Sequence, residues 1–441
     1  MEKLFSKKLS FMEFIKFVSP AIISMIFISL YTIIDGIFVA QFVGSDALAS
    51  INIVLPIISI LCGIGVMFAS GGSALISISM GENKYEEANS RFSLMLLVTL
   101  AIGVFISVFG YIYQEEIFKL LGATDELMPY VKSYGIIFLV TAPIFMVKIL
   151  FEYFLRTEGA FKFSMFISIL GGIINIIFDY MFIVIFGMGI AGAALATILG
   201  AFITLIIAFL YFMSKKSTLK YVIPKFNFKI ILESATNGLS EMVTELSAAI
   251  TTILFNFVAM KFAGADGVAA VTVVLYAHFL MTSTYLGFVC GVAPMVSFNY
   301  GVKNEEKLKE IHSHSKKFIL ISSVLIFIVC LVFAPFIVGF FASPDSDVFD
   351  IALNGLQLFS VAFLFVGANI YVSGIFTAYS NGKISAIVSF SRAFVFVIIG
   401  FMFLPNMLGI NGVWIIVPFA EFITIGLSIL FIKKYKQVYM Y

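Results

Sequence analysis

The chain has 441 residues, of which 61% are hydrophobic and only 12% charged, against ~45–50% and ~25% in ordinary soluble domains. So few charges cannot cover a water-soluble fold of this size, which excludes soluble enzymes and soluble binding modules. A net charge of +2 marks no nucleic-acid partner, and what matters is where the charges fall.

A membrane-crossing helix needs ~20 mostly apolar residues at ~1.5 Å each. Lys3, Lys7, Lys8 and Lys16 precede the first apolar run and imitate the basic region of a signal peptide. No small-residue cleavage site follows, and the run carries Pro20 and Asp35, so it reads as a retained first span. In chain order, twelve stretches qualify: 17–41, 51–80, 92–113, 130–155, 163–186, 190–213, 236–262, 268–299, 318–341, 351–378, 384–404 and 411–432. The second and eighth are longer than a bilayer requires and are expected to tilt or protrude. No hydrophilic stretch exceeds about twenty residues, so no soluble domain is expected. Cys62, Cys290 and Cys330 all lie in apolar runs without metal-ligand spacing and read as small buried hydrophobes.

The loops orient the spans. Basic residues gather at the N-terminus, at Lys84 and Arg91, at Arg156 and Lys162, in 214–229, in 302–317, at Lys383 and at Lys433, Lys434 and Lys436. All fall on one side of a twelve-span path, while the other side holds Glu115, Glu116, Asp125, Glu126, Asp345, Asp347 and Asp350. The positive-inside rule then places both termini in the cytoplasm and the protein in the cytoplasmic (inner) membrane.

The sequence also repeats. A shift of 220 residues pairs Gly44 with Gly264, Gly71 with Gly291, Gly81 with Gly301, Gly135 with Gly355, Gly189 with Gly409 and Gly192 with Gly412. Chance places about one glycine pair in such a shift. Asp46 meets Asp266, Asp125 meets Asp345 and Glu86 meets Glu306 in the same register. The expected architecture is an all-α polytopic membrane protein. Its twelve spans form two six-helix lobes related by a pseudo-twofold along the membrane normal: 1–213, a cytoplasmic linker 214–229, and 230–441. Parallel repeats of this kind belong to transporters that rock two bundles around a central site.

Ionisable groups inside a bilayer cost several kcal/mol each and are functional candidates by default. They are Asp35, Lys148, Glu152, Asp179, Glu241, Glu245, Arg392 and Glu421, six acids against two bases. Asp35, Asp179 and Thr197 each lie about seven residues from the outer end of their spans, ~10 Å deep. Asn175 lies one turn below Asp179 on the same face. Two carboxylates, an amide and a hydroxyl at one level suit a shared proton or a Na⁺ ion, as against a merely structural polar seam. The repeat places Phe255, Val395, Ile399 and Val417 opposite these four, so the cluster belongs to the first half alone.

Glu241, Glu245 and Glu421 in the second half are candidates for substrate contact or for ion pairing with Arg392. Lys148 and Glu152, i and i+4 near the cytoplasmic end of span four, read as an ion pair, with Glu152 a candidate cavity residue. His278, in mid-span, is a cavity candidate that can equally be a packing residue, and His312 and His314 sit in a charged loop without metal partners. The many Phe and Met residues offer a soft cavity lining. No GxxxxGK[ST], HExxH, GxSxG or filter-like TVGYG occurs, so energy is expected from an ion gradient, with no cofactor.

Taken together these residues resemble the multidrug and toxic compound extrusion family, most closely its bacterial MepA-type members. The resemblance covers essentially the whole chain and includes Tyr31-Thr-Ile-Ile-Asp35-Gly-Ile-Phe-Val-Ala40. It implies that Asp35 couples cation entry to drug release and that Pro20 lets the first helix bend. It also implies that Asn175, Asp179 and Thr197 join Asp35, and that Tyr31 faces the cavity. One departure stands out: members with a second-lobe sodium site carry an acid in span ten, and 351–378 contains none after Asp350. The expected function is efflux of amphipathic, cationic drugs by a monomer in exchange for H⁺ or Na⁺. The competing readings are a lipid-linked oligosaccharide flippase and an exporter of a neutral metabolite. Two bases against six acids disfavour the anionic pyrophosphate carriers that a flippase handles.

Overall fold

The structure is a computed structural model and describes residues 8–439. Lys3 and Lys7, and the side chain of Asp46, lie outside the described residues. The helices in chain order are α1 (Phe11–Phe42), α2 (Ser45–Gly81), α3 (Tyr85–Ile112), α4 (Gln114–Leu120), α5 (Met128–Val140), α6 (Ala142–Thr157), α7 (Phe161–Asp179) and α8 (Gly189–Met213). They continue with α9 (Phe228–Val302), α10 (Glu305–Val332), α11 (Ala334–Gly339), α12 (Asp347–Phe359), α13 (Phe363–Ala378), α14 (Gly382–Phe390), α15 (Phe396–Leu408) and α16 (Ile410–Tyr439).

Local chemistry sets the starts and breaks. Ser10 and Glu13 form a reciprocal cap on α1. Asn304 accepts the Lys307 amide at the start of α10, and Ser346 accepts the Phe349 amide at the start of α12. Pro20 cannot donate to the Lys16 carbonyl. The Ser19 hydroxyl donates to it instead at 3.2 Å, and α1 runs on as one helix to Phe42. The 302–317 segment, expected as loop, is helical from Glu305, because its apolar periodicity continues under the lysines. His312 and His314 therefore sit on α10, where His312 is buried between the Tyr371 and Tyr379 hydroxyls at 2.5 and 2.6 Å.

Among the described residues ten helical rods are long and apolar enough to cross a membrane alone, and α5 with α6, bent by 54°, make an eleventh. The twelfth comes from α9, whose 75 residues break at Gly264 (φ 60°, ψ −148°), a conformation open to glycine. A straight helix would hold Ser234 and Phe298 ~95 Å apart. Yet Ser234 lies against Gly71 and Phe298 against Gly81, both on α2. The helix is a hairpin of two crossings.

The irregularities match across the halves. Gly44 and Gly264, Asn83 and Lys303, and Gly189 and Gly409 all take positive φ. Span four breaks at Thr141 and span ten at the 3₁₀ turn Ser360–Ala362. Spans five and eleven each carry a π-helical stretch, Tyr180–Ile185 and Ser391–Val395, at different places in the 220-residue register. A Cβ on Gly81 would stand 2.2 Å from the Phe298 carbonyl oxygen, and one on Gly301 2.4 Å from that of Ile78. Those are one contact seen twice through the pseudo-twofold.

The two ends of the molecule pack differently. At the basic end, which carries turns 82–84 and 303–304 and the helix-free stretch 214–227, one apolar core runs across both halves. It joins Phe14, Phe92 and Phe154 to Phe288, Phe298 and Tyr379. At the other end the cores are separate: Val54, Phe118 and Phe138 in the first half, Phe255, Phe359 and Trp414 in the second. The halves meet at the basic end and part at the other. The outward faces carry residues such as Phe105 (68% exposed) and Phe257 (72%), a surface that lipid tails solvate and water does not.

Candidate functional site

Between the halves lies a cavity of ≈580 Å³. Tyr31 and Asp35 of α1, Lys148 and Glu152 of α6, Thr197 of α8, and Glu241 and Glu245 of α9 all reach its wall. Lys148 and Glu152 pair at 2.9 Å, and the Ser168 hydroxyl donates to Glu152 at 3.2 Å. The pair expected near the end of span four is thus part of the cavity wall, since the bend at Thr141 turns this face of α6 inward.

The first-half cluster forms where α1, α7 and α8 approach closely. A Cβ on Gly172 would stand 2.6 Å from the Phe27 and Tyr31 rings, and one on Gly200 would stand 2.7 Å from the Gly171 carbonyl oxygen. Glycine at these positions lets the three backbones close up. Asp179 is the last residue of α7 before the π-helical stretch, an irregularity common at functional sites. Its carboxylate is an electrostatic neighbour of that of Asp35. Asn175 Nδ2 donates to Thr197 Oγ1 at 3.3 Å, and the Thr197 hydroxyl donates to the Ala193 carbonyl at 3.2 Å.

What this cluster lacks is donors. Asp179 is fully buried, and neither of its oxygens has one among the described residues; nor do Asp35 Oδ1 and Asn175 Oδ1. Two neighbouring carboxylates cannot both stay charged and bare in a site that excludes water. A proton shared between them, or a cation among the oxygens, satisfies the set. At the repeat-related positions of the second half the space is apolar: Phe255 is 1% exposed and packs edge-on to Phe401 at 4.9 Å.

Two expected cavity residues lie elsewhere. Glu421 is buried behind the wall, paired with Arg392 at 3.2 Å and accepting from Asn369 Nδ2 at 2.7 Å. Only the Arg392 side of that pair faces the cavity. His278 packs against the Phe359 and Phe363 rings at 5.1 and 6.0 Å and is not on the wall. Other wall residues escaped the sequence reading. Tyr153, Tyr276 and Asn52 line the cavity, as do Ser373, Thr377 and Ser389, which bond with Ser385 and Ser240 in a chain of hydroxyls. The spacing of Ser373, Thr377, Ser385 and Ser389 along two helices was the one available signal.

The MatE family model matches residues 20–181 and again residues 241–402. The chain belongs to the MatE family. Each match covers one half, in agreement with the repeat of positive-φ turns and broken spans. This MatE chain is similar to the multidrug export protein MepA of Staphylococcus saprophyticus, 25% identical over 421 residues, 93% of this chain and 90% of that protein. MepA of Staphylococcus aureus is 25% identical over 420 residues with the same coverage. Among solved structures, a MATE protein in complex with MaL6 superposes with a TM-score of 0.91 at 23% identity, covering 97% of this chain and 96% of that one. An outward-facing multidrug resistance MATE transporter of the MOP superfamily superposes at 0.90 with 24% identity and the same coverage. The fold is that of these multi-pass membrane transporters.

Proposed function

We propose that this MatE chain is a secondary active multidrug exporter that exchanges H⁺ or Na⁺ for amphipathic, cationic organic compounds by alternating access. One observation carries the reading: Asp35, on the wall of the large central cavity, belongs to a buried group of four oxygens, on Asp35, Asn175 and Asp179, that have no donor among the described residues. The MepA relatives, named as multidrug export proteins, support efflux as the direction. Wall charge supports cationic cargo. Lys148 and Arg392, the bases on the wall, each already pair with a carboxylate, leaving Asp35, Glu241 and Glu245 without an ion-pair partner among the described residues. An anionic lipid carrier finds no free base there, which disfavours a flippase. With the basic end in the cytoplasm, the parted end faces outward, and the monomer works in the cytoplasmic membrane with both termini inside.

The test is transport of a fluorescent lipophilic cation in proteoliposomes under separately imposed pH and Na⁺ gradients, for wild type and Asp35→Asn. Wild type should concentrate the cation against one of the two gradients, and Asp35→Asn should fold and bind but not be driven. Transport indifferent to both gradients, or undiminished in the variant, refutes the reading.

A further inference from the structure

We propose that Lys148 is an internal counter-cation of the Asp35–Asp179 cluster, connected to it by water in a small pocket beside Asn175. The inference rests on the coupling reading above and adds to it a residue with a defined electrostatic task.

The pocket has ≈30 Å³ and lies between α1, α6, α7 and α8, lined by Tyr31, Lys148, Ser168, Asn175 and Thr197, with Gly171 and Gly172 leaving its space. That volume admits one or two waters, which need two to four polar partners each. The partners are in place. Asn175 is 3% exposed, and its Oδ1 has no donor while its Nδ2 is committed to Thr197. Lys148 carries three N–H groups, one of which is taken by Glu152 at 2.9 Å. A water accepting from Lys148 and donating to Asn175 Oδ1 satisfies both groups. It also joins the ion pair to the amide that neighbours Asp179.

Lys148 borders both the pocket and the central cavity. The titratable groups nearest to it are Glu152 on its own helix, Tyr31 on α1 and Cys62 on α2. Asp35 on α1 and Glu241 and Glu245 on α9 share the cavity wall with it, and Asp179 on α7 lies beside Asp35, off that wall. Arg392, the other base on the wall, is held by Glu421. The ammonium thus shares one cavity wall with four carboxylates and is bonded directly to one of them. Before the coupling ion arrives, its charge partly offsets that of the aspartates. Once the ion is bound, Glu152 holds it. Such a tethered cation sets how tightly the cluster grips the exchanging ion, and keeps that grip weak enough for release.

The experiment is equilibrium binding of a fluorescent lipophilic cation to the full-length protein in detergent, titrated with pH and separately with Na⁺. The proteins are wild type, Lys148→Met, Lys148→Arg, Glu152→Gln and Asp179→Asn. In wild type the ion displaces the fluorophore with a measurable midpoint. Lys148→Met should move that midpoint about tenfold toward tighter ion binding, to higher pH or lower Na⁺, the order expected for one charge at an effective dielectric of ~20. Glu152→Gln, which frees the ammonium, should move it the opposite way, Lys148→Arg should leave it near wild type, and Asp179→Asn should abolish the dependence. Opposite shifts from the two ends of one ion pair are not what packing damage produces. Should Lys148→Met fail to fold, the sign of the Glu152→Gln shift decides. Unmoved midpoints, or shifts of the same sign, with the Asp179→Asn effect intact, overturn the role of Lys148 and leave the coupling reading standing. A wild-type protein indifferent to both ions overturns both.

Discussion

Glu158 shows how one side chain fastens the segment between the halves to the first half. It sits in the turn after α6, 7% exposed, and accepts from the Ser217 hydroxyl at 2.8 Å and from the Thr218 and Leu219 amides at 2.9 and 3.2 Å. Burial, the largest influence, pushes its carboxyl above the ordinary carboxylate range despite those bonds. A carboxyl raised on folding contributes stability below its unfolded value, and that contribution is lost as pH rises through the folded value. Glu158→Gln keeps an acceptor and removes the charge. Its Tm in detergent should therefore gain on wild type as pH rises from about 5 to 8. Glu158→Ala strands the Thr218 and Leu219 amides and should cost ~1–3 kcal/mol at every pH, by the usual scale for buried unpaired groups. If the glutamine variant falls as far as alanine, with a gap indifferent to pH, burial of the charge is not what shapes this site.

At the scale of helices, close backbone approach does what charge does for Glu158. A Cβ on Gly238 of α9 would stand 1.9 Å from the Met67 carbonyl oxygen of α2, and one on Gly71 would stand 2.0 Å from that of Ser234. Gly238→Ala must push the two helices apart and should cost ~1–3 kcal/mol, as overpacking does. Gly426, inside α16 with nothing within 4 Å, is the control: Gly426→Ala should stabilise by ~0.5–1 kcal/mol through backbone entropy. Equal effects at the two sites, read as Tm, would mean that the α2–α9 contact does not need glycine. These glycines also mark what could be read from the chain alone. The 220-residue register was legible, because its glycines recur at the positive-φ turns of both halves. The face each residue turns was not. A span that is apolar all round has no polar stripe to orient it, so Glu421 and His278 read as cavity residues although they point away from it. Breaks inside a span are equally silent, and the bend at Thr141 brings Lys148, expected only as a span-end partner of Glu152, to the cavity wall beside it.

For the whole molecule, the decisive asymmetry is one shared core at the basic end against two separate cores at the other. A transporter that alternates must populate both arrangements at similar free energy, or the minor state is too rare to carry flux. Under the alternating access proposed above, apolar packing given up when the basic end opens must be replaced by packing formed when the other end closes. The pseudo-twofold makes α1 against α9, and α2 against α9, the surfaces that part. One site tests this directly. A Cβ on Gly291 of α9 would stand 3.3 Å from the Ala21 Cβ of α1, close to the ~3.5–4.5 Å that a disulfide needs. In a background with Cys62, Cys290 and Cys330 replaced, Ala21→Cys with Gly291→Cys should cross-link on mild oxidation. The oxidised protein should still bind a fluorescent lipophilic cation with the affinity of the reduced form, because neither Ala21 nor Gly291 lines the cavity. Transport in proteoliposomes should fall to background and return on reduction. Oxidised protein that transports at the reduced rate would show that α1 and α9 stay together through the cycle, and that access alternates by another motion.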